Sequence, residues 1–177
     1  DVAKQLNVKP YTNAGKMLRR EDIGAVSICT WSTSLAKEAL KALEIGKHVL
    51  VEKPITLNSK QAEELVKLAK EKNLVLAVGN IFRFDPAIKK LKEEIKKGTF
   101  GKIYYISLSR MGLKKPREDC GVIFNYASHD FDILCDVLEE EFPKEITAVK
   151  TNSLKRKYED LGIIIAKFKD DVLGYSQ

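Results

Sequence analysis

The chain has 177 residues, of which 44% are hydrophobic and 32% are charged, and its formal net charge is +6. This composition excludes a disordered or fibrous protein, and its longest apolar runs fall far short of the ~20 residues that cross a bilayer. Because most basic residues alternate with Glu along helical segments, the charge indicates solvated helix faces, and we expect neither a nucleic-acid nor a membrane partner.

The first half of the chain alternates short apolar runs with amphipathic helices. Apolar runs of strand length lie at 23–29, 49–51 and 74–78. The helix before the last of them is opened by Asn58, with Gln61 three residues on in a capping-box arrangement. Strands that are apolar on both faces and joined by helical crossovers predict a parallel sheet covered on both sides, which is an α/β fold.

The pattern changes after Phe84. Asp85 and Pro86 provide the N-cap and first residue of another helix, and residues 103–111 alternate as a half-buried strand does. A helix near 124–139 follows. Further strand-like runs lie at 145–149, 161–168 and 172–175. The second half is therefore predicted to be α+β with a mainly antiparallel sheet, and the domain boundary to lie near residue 83.

The first candidate for chemistry is Lys53, in the segment Glu52-Lys53-Pro54. This segment follows a predicted buried strand directly, and open α/β sheets bind ligands outside the carboxyl ends of their strands. Pro54 biases the residue before it towards an extended conformation, which would aim the ammonium group consistently. A solvated lysine in a strand-to-helix loop is the alternative, and the residues alone leave both interpretations open.

The second candidate is the helix near 124–139. At 100° per residue, Asn125, His129, Asp132 and Asp136 fall within about 60° of one another. The opposite stripe carries Phe124, Ala127, Phe131, Leu134, Cys135 and Leu138. An imidazole beside carboxylates is a common general base near neutral pH, although an ordinary surface helix has the same pattern. A metal site on this helix and a thiolate nucleophile at Cys120 have no supporting motif.

Two further features bear on location and substrate. The cysteines at 29, 120 and 135 are odd in number and lack C-x-x-C spacing, which argues against a disulfide framework or zinc site and favours the cytoplasm. The loop before His129 carries basic residues that either receive a carboxylate or pyrophosphate or are simply solvated. These residues are Arg110, Lys114, Lys115 and Arg117.

Several blocks of the sequence resemble the Gfo/Idh/MocA oxidoreductases. They are Ala25 to Thr30, Val-Leu-Val-Glu-Lys-Pro at 49–54, Val-Gly-Asn-Ile-Phe-Arg-Phe at 78–84 and Ser-His-Asp-Phe-Asp at 128–132. The resemblance implies a partial Rossmann-type NAD(P)-binding domain over residues 1–83. It implies a partial α+β domain for substrate binding and oligomerisation over residues 84–177.

The resemblance also implies roles for individual residues. Lys53 would polarise and orient the substrate hydroxyl, and His129 would act as the base. The family usually has an aspartate four residues before this histidine, where Asn125 stands here, a residue that hydrogen-bonds but cannot accept a proton. The residues expected at the cofactor, NAD or NADP, are Thr30, Trp31, Glu52, Lys53 and Arg83.

The activity implied is hydride transfer between a nicotinamide and a hydroxyl or keto group of a sugar, sugar derivative or nucleotide sugar, in a homo-oligomer formed through the C-terminal sheet. The sequence has no G-x-G-x-x-G motif, so we expect a chain that lacks the glycine-rich first strand-turn-helix and part of the C-terminal sheet. The alternative is a truncated, non-catalytic paralogue that acts as an assembly domain without dinucleotide binding.

Overall fold

A computed structural model describes residues 2–112 and 117–177 of the chain. They form two compact units, residues 1–78 and residues 79–177. The division follows Val78, the last residue of the third strand, whereas the sequence pattern places the boundary near residue 83. The segment that contains Arg83 therefore groups with the second unit.

The first unit is an α/β structure. Its described helices are α1 (Val2–Gln5), α2 (Ala14–Leu18), α3 (Ser32–Glu44) and α4 (Ser59–Glu71). Its described strands are β1 (Ala25–Ile28), β2 (His48–Val51) and β3 (Leu76–Val78). The strands pair in parallel in the order β1-β2-β3, which confirms the predicted α/β class with a parallel sheet.

The core of the first unit lies on one face of this sheet. Leu43 of α3 and Leu65 of α4 pack with Val51 of β2 in one cluster of buried side chains. On the opposite face Leu50 is 48% exposed, and Ser27 beside it on β1 is also exposed. Within the described residues, the expectation of a sheet covered on both sides is therefore wrong, because α3 and α4 share one core on one face.

The start of α4 differs in detail from the predicted capping box. Asn58 caps the helix as expected, since its side-chain oxygen accepts a hydrogen bond from the Lys60 N–H at 2.9 Å. The Asn58 N–H, however, donates to the Thr56 hydroxyl at 3.1 Å, and that hydroxyl donates to the Gln61 side chain at 2.8 Å. The prediction of a direct hydrogen bond between the Asn58 N–H and the Gln61 side chain is therefore wrong, because the hydroxyl of Thr56 lies between these two groups.

The second unit is an α+β structure. Its described helices are α5 (Pro86–Lys96) and α6 (Ser128–Leu138), with 3-10 turns at Ile81–Phe84 and Lys169–Asp171 and a π-helix at Ile123–Ala127. Its described strands are β4 (Tyr105–Leu108), β5 (Glu145–Thr151), β6 (Leu161–Lys167) and β7 (Leu173–Ser176). The sheet order is β4-β7-β6-β5, and only the β4–β7 pair of these is parallel. The prediction of a mainly antiparallel sheet is confirmed.

Helix α6 packs closely on this sheet. Leu134 of α6, Ala166 of β6 and Phe168 form a buried cluster. A Cβ atom at Gly174 of β7 would lie 2.8 Å from Leu134 Cδ1 and 2.9 Å from Phe168 Cε2. Glycine is thus required at this position for the helix to approach the strand.

Helix α5 is charged but not simply solvated. Its Asp85 cap is as predicted, because the carboxylate accepts from the backbone N–H of Ala87 at 2.8 Å. Lys92 pairs with Asp136 of α6 at 2.8 Å, and Lys96 pairs with Glu139 at the end of α6 at 3.2 Å. The expectation of a solvated face is corrected, since part of this charge joins two helices.

Among the described residues, no helix has the length and apolar character to span a bilayer.

Candidate active site

The strands of the first unit end in register at one edge of the sheet. Ile28 of β1 pairs with Val51 of β2, which in turn pairs with Val78 of β3. The loops after these strands therefore leave the sheet at the same edge, where open α/β sheets bind their ligands. This edge carries the predicted site residues Thr30, Trp31, Glu52 and Lys53.

Trp31 forms the N-cap of α3 through its backbone. Its carbonyl oxygen accepts hydrogen bonds from the N–H groups of Ser34 at 2.8 Å and Leu35 at 3.2 Å. The Ser34 hydroxyl also donates to the Thr30 hydroxyl at 3.1 Å, which ties the end of β1 to the first turn of the helix. The Trp31 side chain is 63% exposed. An ordered backbone thus presents an exposed aromatic ring beside the positive end of a helix dipole.

Lys53 lies between two well-fixed stretches of backbone. Before it, the Glu52 N–H donates to the Ile28 carbonyl at 3.0 Å and extends the pairing of β2 with β1. After it, Pro54 is buried and Thr56 is 8% exposed, and the Lys53–Pro54 peptide is cis. Lys53 itself is half-buried. The fold therefore fixes the backbone from which its ammonium group extends.

A cavity of about 510 Å³ lies beside β1. Its lining includes Gly15 of α2, Ile28 to Thr30 at the end of β1, and Ser34 in the first turn of α3. The cavity therefore reaches the same carboxyl end of β1 that carries Thr30, and it leaves room for a ligand next to that strand.

In the second unit, Asn125 and His129 lie in two successive helical segments of different pitch. Asn125 belongs to the π-helix Ile123–Ala127, and His129 is the second residue of α6. The prediction of one regular α-helix is wrong in its first turn, because a π-turn contains more residues and rotates Asn125 relative to His129. Phe124, expected in the buried stripe, is 43% exposed for the same reason.

The ring of His129 belongs to a chain of contacts that ends at a buried ion pair. Phe82 meets His129 edge-on, with ring centroids 4.9 Å apart and an interplanar angle of 84°. The Arg110 guanidinium lies 4.6 Å from the Phe82 ring centroid. Arg110 donates to the carboxylate of Asp130, which is 1% exposed and also accepts from the Ser176 hydroxyl at 2.7 Å. This chain links the orientation of His129 to the packing of α6 on β7.

The predicted polar face of α6 is largely occupied by ion pairs. The Asp132 carboxylate accepts from Arg83 Nε at 2.7 Å and Asn80 Nδ2 at 2.9 Å. Asp136 pairs with Lys92 at 2.8 Å and with Arg83 at 3.6 Å. The hydrogen bond that Arg83 donates to Asp132 raises the pKa of the Arg83 guanidinium. These cations take up both carboxylates that a metal ion on this helix would need, and cofactor contact by Arg83 stays a prediction.

The arginines expected to receive an anion are already paired. Arg110 is bound by buried Asp130, and Arg117 makes two hydrogen bonds to Asp119, at 2.7 and 2.6 Å. The second pair raises the pKa of the Arg117 guanidinium. The other residues of that expectation, Lys114 and Lys115, lie outside the described residues. The two arginines therefore serve the fold of this loop.

The residues that hold His129 are not singled out by the sequence patterns. Asp130 lies between the two predicted stripes of the helix, and Phe82 belongs to a family motif in which no role is expected for it. One signal was present, since a carboxylate next to the apolar stripe of a packed helix needs a cation. No spacing rule pairs it with Arg110, which is 20 residues away.

The fold and these sites define a chain made of part of a Rossmann-type dinucleotide-binding sheet followed by an α+β unit. Residues 1–80 match the family model described as an oxidoreductase family with an NAD-binding Rossmann fold. The chain belongs to this family, the Gfo/Idh/MocA oxidoreductases, as its sequence motifs indicate.

Similar proteins extend this assignment. The UDP-N-acetylglucosamine 3-dehydrogenase of Acidithiobacillus ferrooxidans is 35% identical over 150 residues, which cover 84% of this chain and 46% of that protein. The myo-inositol 2-dehydrogenase of Thermotoga maritima is 26% identical over 184 residues, covering 98% and 55%. The chain thus spans about half the length of the curated relatives it matches. The WlbA dehydrogenase of Bordetella pertussis, solved with NADH and UDP-GlcNAcA, shares the fold with a TM-score of 0.88 at 22% identity, over 99% of this chain and 58% of its own.

Proposed function

We propose that the protein is an NAD(P)-dependent dehydrogenase that acts on a hydroxyl or keto group of a sugar, sugar derivative or nucleotide sugar. The observation that carries this proposal is the carboxyl edge of the parallel sheet, in a chain that belongs to an NAD-binding family. At that edge Thr30 and Trp31 follow β1, and Glu52 and Lys53 follow β2.

The chemistry of this edge fits a dinucleotide. The Thr30 hydroxyl and the Glu52 carboxylate are suited to the hydroxyl groups of a ribose, and the exposed Trp31 ring offers an apolar face to a planar ligand. The cavity of about 510 Å³ beside β1 supplies space next to Thr30. When bound, NAD or NADP would supply hydride chemistry at its nicotinamide ring.

Lys53 would bind and orient the reacting oxygen of the substrate. A lysine ammonium stabilises negative charge that develops on an alcohol oxygen as its proton leaves, and this charge is larger in the transition state than in the bound substrate. The backbone on both sides of Lys53 is held by β2 and by buried Pro54. Because the backbone is fixed, the flexible Lys53 side chain has fewer conformations to lose when it binds the substrate.

His129 would accept the proton of the substrate hydroxyl. An imidazole titrates near neutral pH, which suits a general base. Its ring contacts Phe82 at 4.9 Å between centroids, and that contact limits how the ring can turn. Asn125 would hold a substrate hydroxyl by hydrogen bonds, without taking part in proton transfer, because a side-chain amide neither gains nor loses a proton in this pH range.

The substrate class is supported by the similar proteins. One relative is named for a nucleotide-activated amino sugar and the other for an inositol, so both act on polyhydroxylated rings. Such rings need several hydrogen-bonding side chains, and the second unit provides Asn125 and Tyr126 on the wall of one cavity.

The test combines binding and turnover. We expect NAD⁺ or NADP⁺ to bind with micromolar affinity in calorimetric titration. Lys53→Met and His129→Asn should each lower kcat by at least ~10²-fold with the accepted sugar substrate. Matched controls are Lys67→Met, whose side chain is 78% exposed on α4, and His48→Asn, at the other of the two histidines. Absence of dinucleotide binding would favour the non-catalytic assembly domain instead.

We also propose that the protein forms a homo-oligomer through the open face of the second sheet. Neighbouring apolar side chains on this face remain exposed, namely Tyr105 69%, Leu173 43%, Ile165 44%, Leu161 50% and Val149 63%. Contiguous exposed apolar surface of this kind marks an interaction site. Light scattering should give a particle mass that is a multiple of the 20.0 kDa of one chain, and this mass should fall in the variant Ile165→Asp. An unchanged mass in that variant would refute this interface.

We further propose a cytoplasmic location. Among the described residues, Cys29 and Cys135 are free thiols, as expected for a reducing compartment. Fractionation of cells that express the protein would test this, and recovery of the chain with membranes or outside the cell would contradict it.

A further inference from the structure

A cavity of about 740 Å³ in the second unit lies between the β5–β6 hairpin and the π-helix. Arg156, Lys157 and Tyr158 of the hairpin line one side, and Asn125 and Tyr126 of the π-helix line the other. The cavity therefore joins a predicted site residue to a basic loop whose charge the proposed mechanism does not use. We term this loop, residues 152–160, the basic hairpin.

The basic hairpin is ordered by side chain to backbone hydrogen bonds. The Asp160 carboxylate accepts from the N–H groups of Ser153 at 2.9 Å and Leu154 at 2.6 Å. The Asn152 side-chain oxygen accepts from the Arg156 N–H at 2.7 Å. Bonds of this type replace the missing strand pairing at a turn. The two cations consequently extend from a fixed backbone.

The acidic groups near this cavity are largely engaged elsewhere. Asp160 is bound by the backbone amides of its own loop, and Asp119 by the Arg117 guanidinium. The Glu159 side chain is 12% exposed, accepts from a backbone N–H of the π-helix at 3.4 Å, and lies 3.9 Å from a lysine of β5. Glu118, the other carboxylate on the lining, also makes an interaction of its own.

The two hairpin cations are not neutralised in this way. Over residues 2–112 and 117–177, no carboxylate pairs with Arg156 or Lys157 within 4.0 Å. Lys157 instead lies 5.0 Å from the ring centroid of Tyr158. Their charge is therefore available to an anion that enters the cavity, and a planar guanidinium beside an ammonium suits a phosphate or a carboxylate.

We propose that this cavity binds the anionic substituent of the substrate, a diphosphate or a carboxylate attached to the sugar. The inference rests on the proposed function, and it assigns substrate selection to Arg156 and Lys157 in place of the paired Arg110 and Arg117. Asn125 on the same lining would contact the sugar ring, so the charged group and the ring would be held at opposite ends of one cavity.

The experiment measures binding of small anions by calorimetry, without dinucleotide. UDP and inorganic pyrophosphate represent a diphosphate, D-glucuronate represents a carboxylate, and uridine is the uncharged comparison. Arg156→Gln and Lys157→Gln should each weaken binding of the accepted anion at least about tenfold, the scale of one charge-assisted hydrogen bond. The matched control is Lys155→Gln, which removes the same charge from the same loop at a residue outside the cavity lining.

The result that supports the site is a loss confined to Arg156→Gln and Lys157→Gln, with Lys155→Gln within about twofold of the wild type. Equal weakening by all three variants, or no binding of any anion above that of uridine, would overturn it. Binding of NAD⁺ is measured on the same samples. Selective anion binding without NAD⁺ binding would support this site and contradict the proposed dehydrogenase function. Binding of NAD⁺ without selective anion binding would contradict this site and leave the proposed function supported.

Discussion

The ion pair of Arg110 and Asp130 gives a quantitative test of how the second unit is held together. Asp130 is 1% exposed, whereas the Arg110 side chain is 25% exposed. Arg110→Met removes the cation and leaves a carboxylate that water cannot reach. Asp130→Asn leaves a guanidinium that water still solvates in part, and the amide keeps the hydrogen bond with Ser176. The two substitutions break the same pair, but they leave groups of very different burial behind.

The expected costs follow from this asymmetry. Loss of one partner from a buried ion pair typically costs about 3–5 kcal/mol of unfolding free energy, and we expect Arg110→Met to fall in this range. Loss of a single charged hydrogen bond costs about 1.5–3 kcal/mol, and we expect Asp130→Asn to lie there. The double variant Arg110→Met/Asp130→Leu should recover much of the loss, because no buried charge remains and only the Ser176 hydroxyl loses a partner.

Urea unfolding followed by far-ultraviolet circular dichroism measures these free energies in the full chain. We expect Arg110→Met to be more destabilising than Asp130→Asn, and the double variant to be more stable than Arg110→Met. If Asp130→Asn costs as much as Arg110→Met, or if Arg110→Met costs under about 1 kcal/mol, the pair does not act as a buried charge and the account of the His129 support fails with it.

Other substitutions test separate parts of the structure. Two lysines and a threonine hydrogen-bond to Glu94 and lower its pKa from 4.5 to about 2. Because the pKa is depressed in the folded state, these hydrogen bonds stabilise the fold fully above about pH 4.5, and this contribution is lost as the pH falls to about 2. The difference in urea midpoint between wild type and Glu94→Gln should therefore vanish at the acid end, and a constant difference would contradict it. Burial raises the pKa of the Cys135 thiol, so Cys135 should be alkylated by iodoacetamide more slowly than exposed Cys29 in peptide mass spectrometry; equal rates would refute this. Asp85→Ala should cost about 1 kcal/mol in urea unfolding, and Asp85→Asn much less, because only the latter still caps α5; equal losses would show that the cap is unimportant.

Local patterns determined the helices, the strands and the edge that carries the cofactor candidates. Strand-length apolar runs predicted β1, β2 and β3, and parallel pairing then brought the loops after β1 and β2 to one edge. The Asp85 cap also followed from residue type, since short-range backbone preferences decide such features. These elements depend on contacts within a few residues, which the sequence displays directly.

The support of the candidate base was decided only by the tertiary structure. The π-turn at Ile123–Ala127 changed the face that Asn125 presents, and no propensity rule distinguishes such a turn from an ordinary one. In the sequence Arg83 is a candidate for cofactor contact and Arg110 for anion binding. In the structure Arg83 pairs with a carboxylate 49 residues away, and Arg110 with one 20 residues away. The charge of a side chain is written in the sequence. Whether that charge is already neutralised depends on contacts between distant residues, and these exist only after the chain has folded.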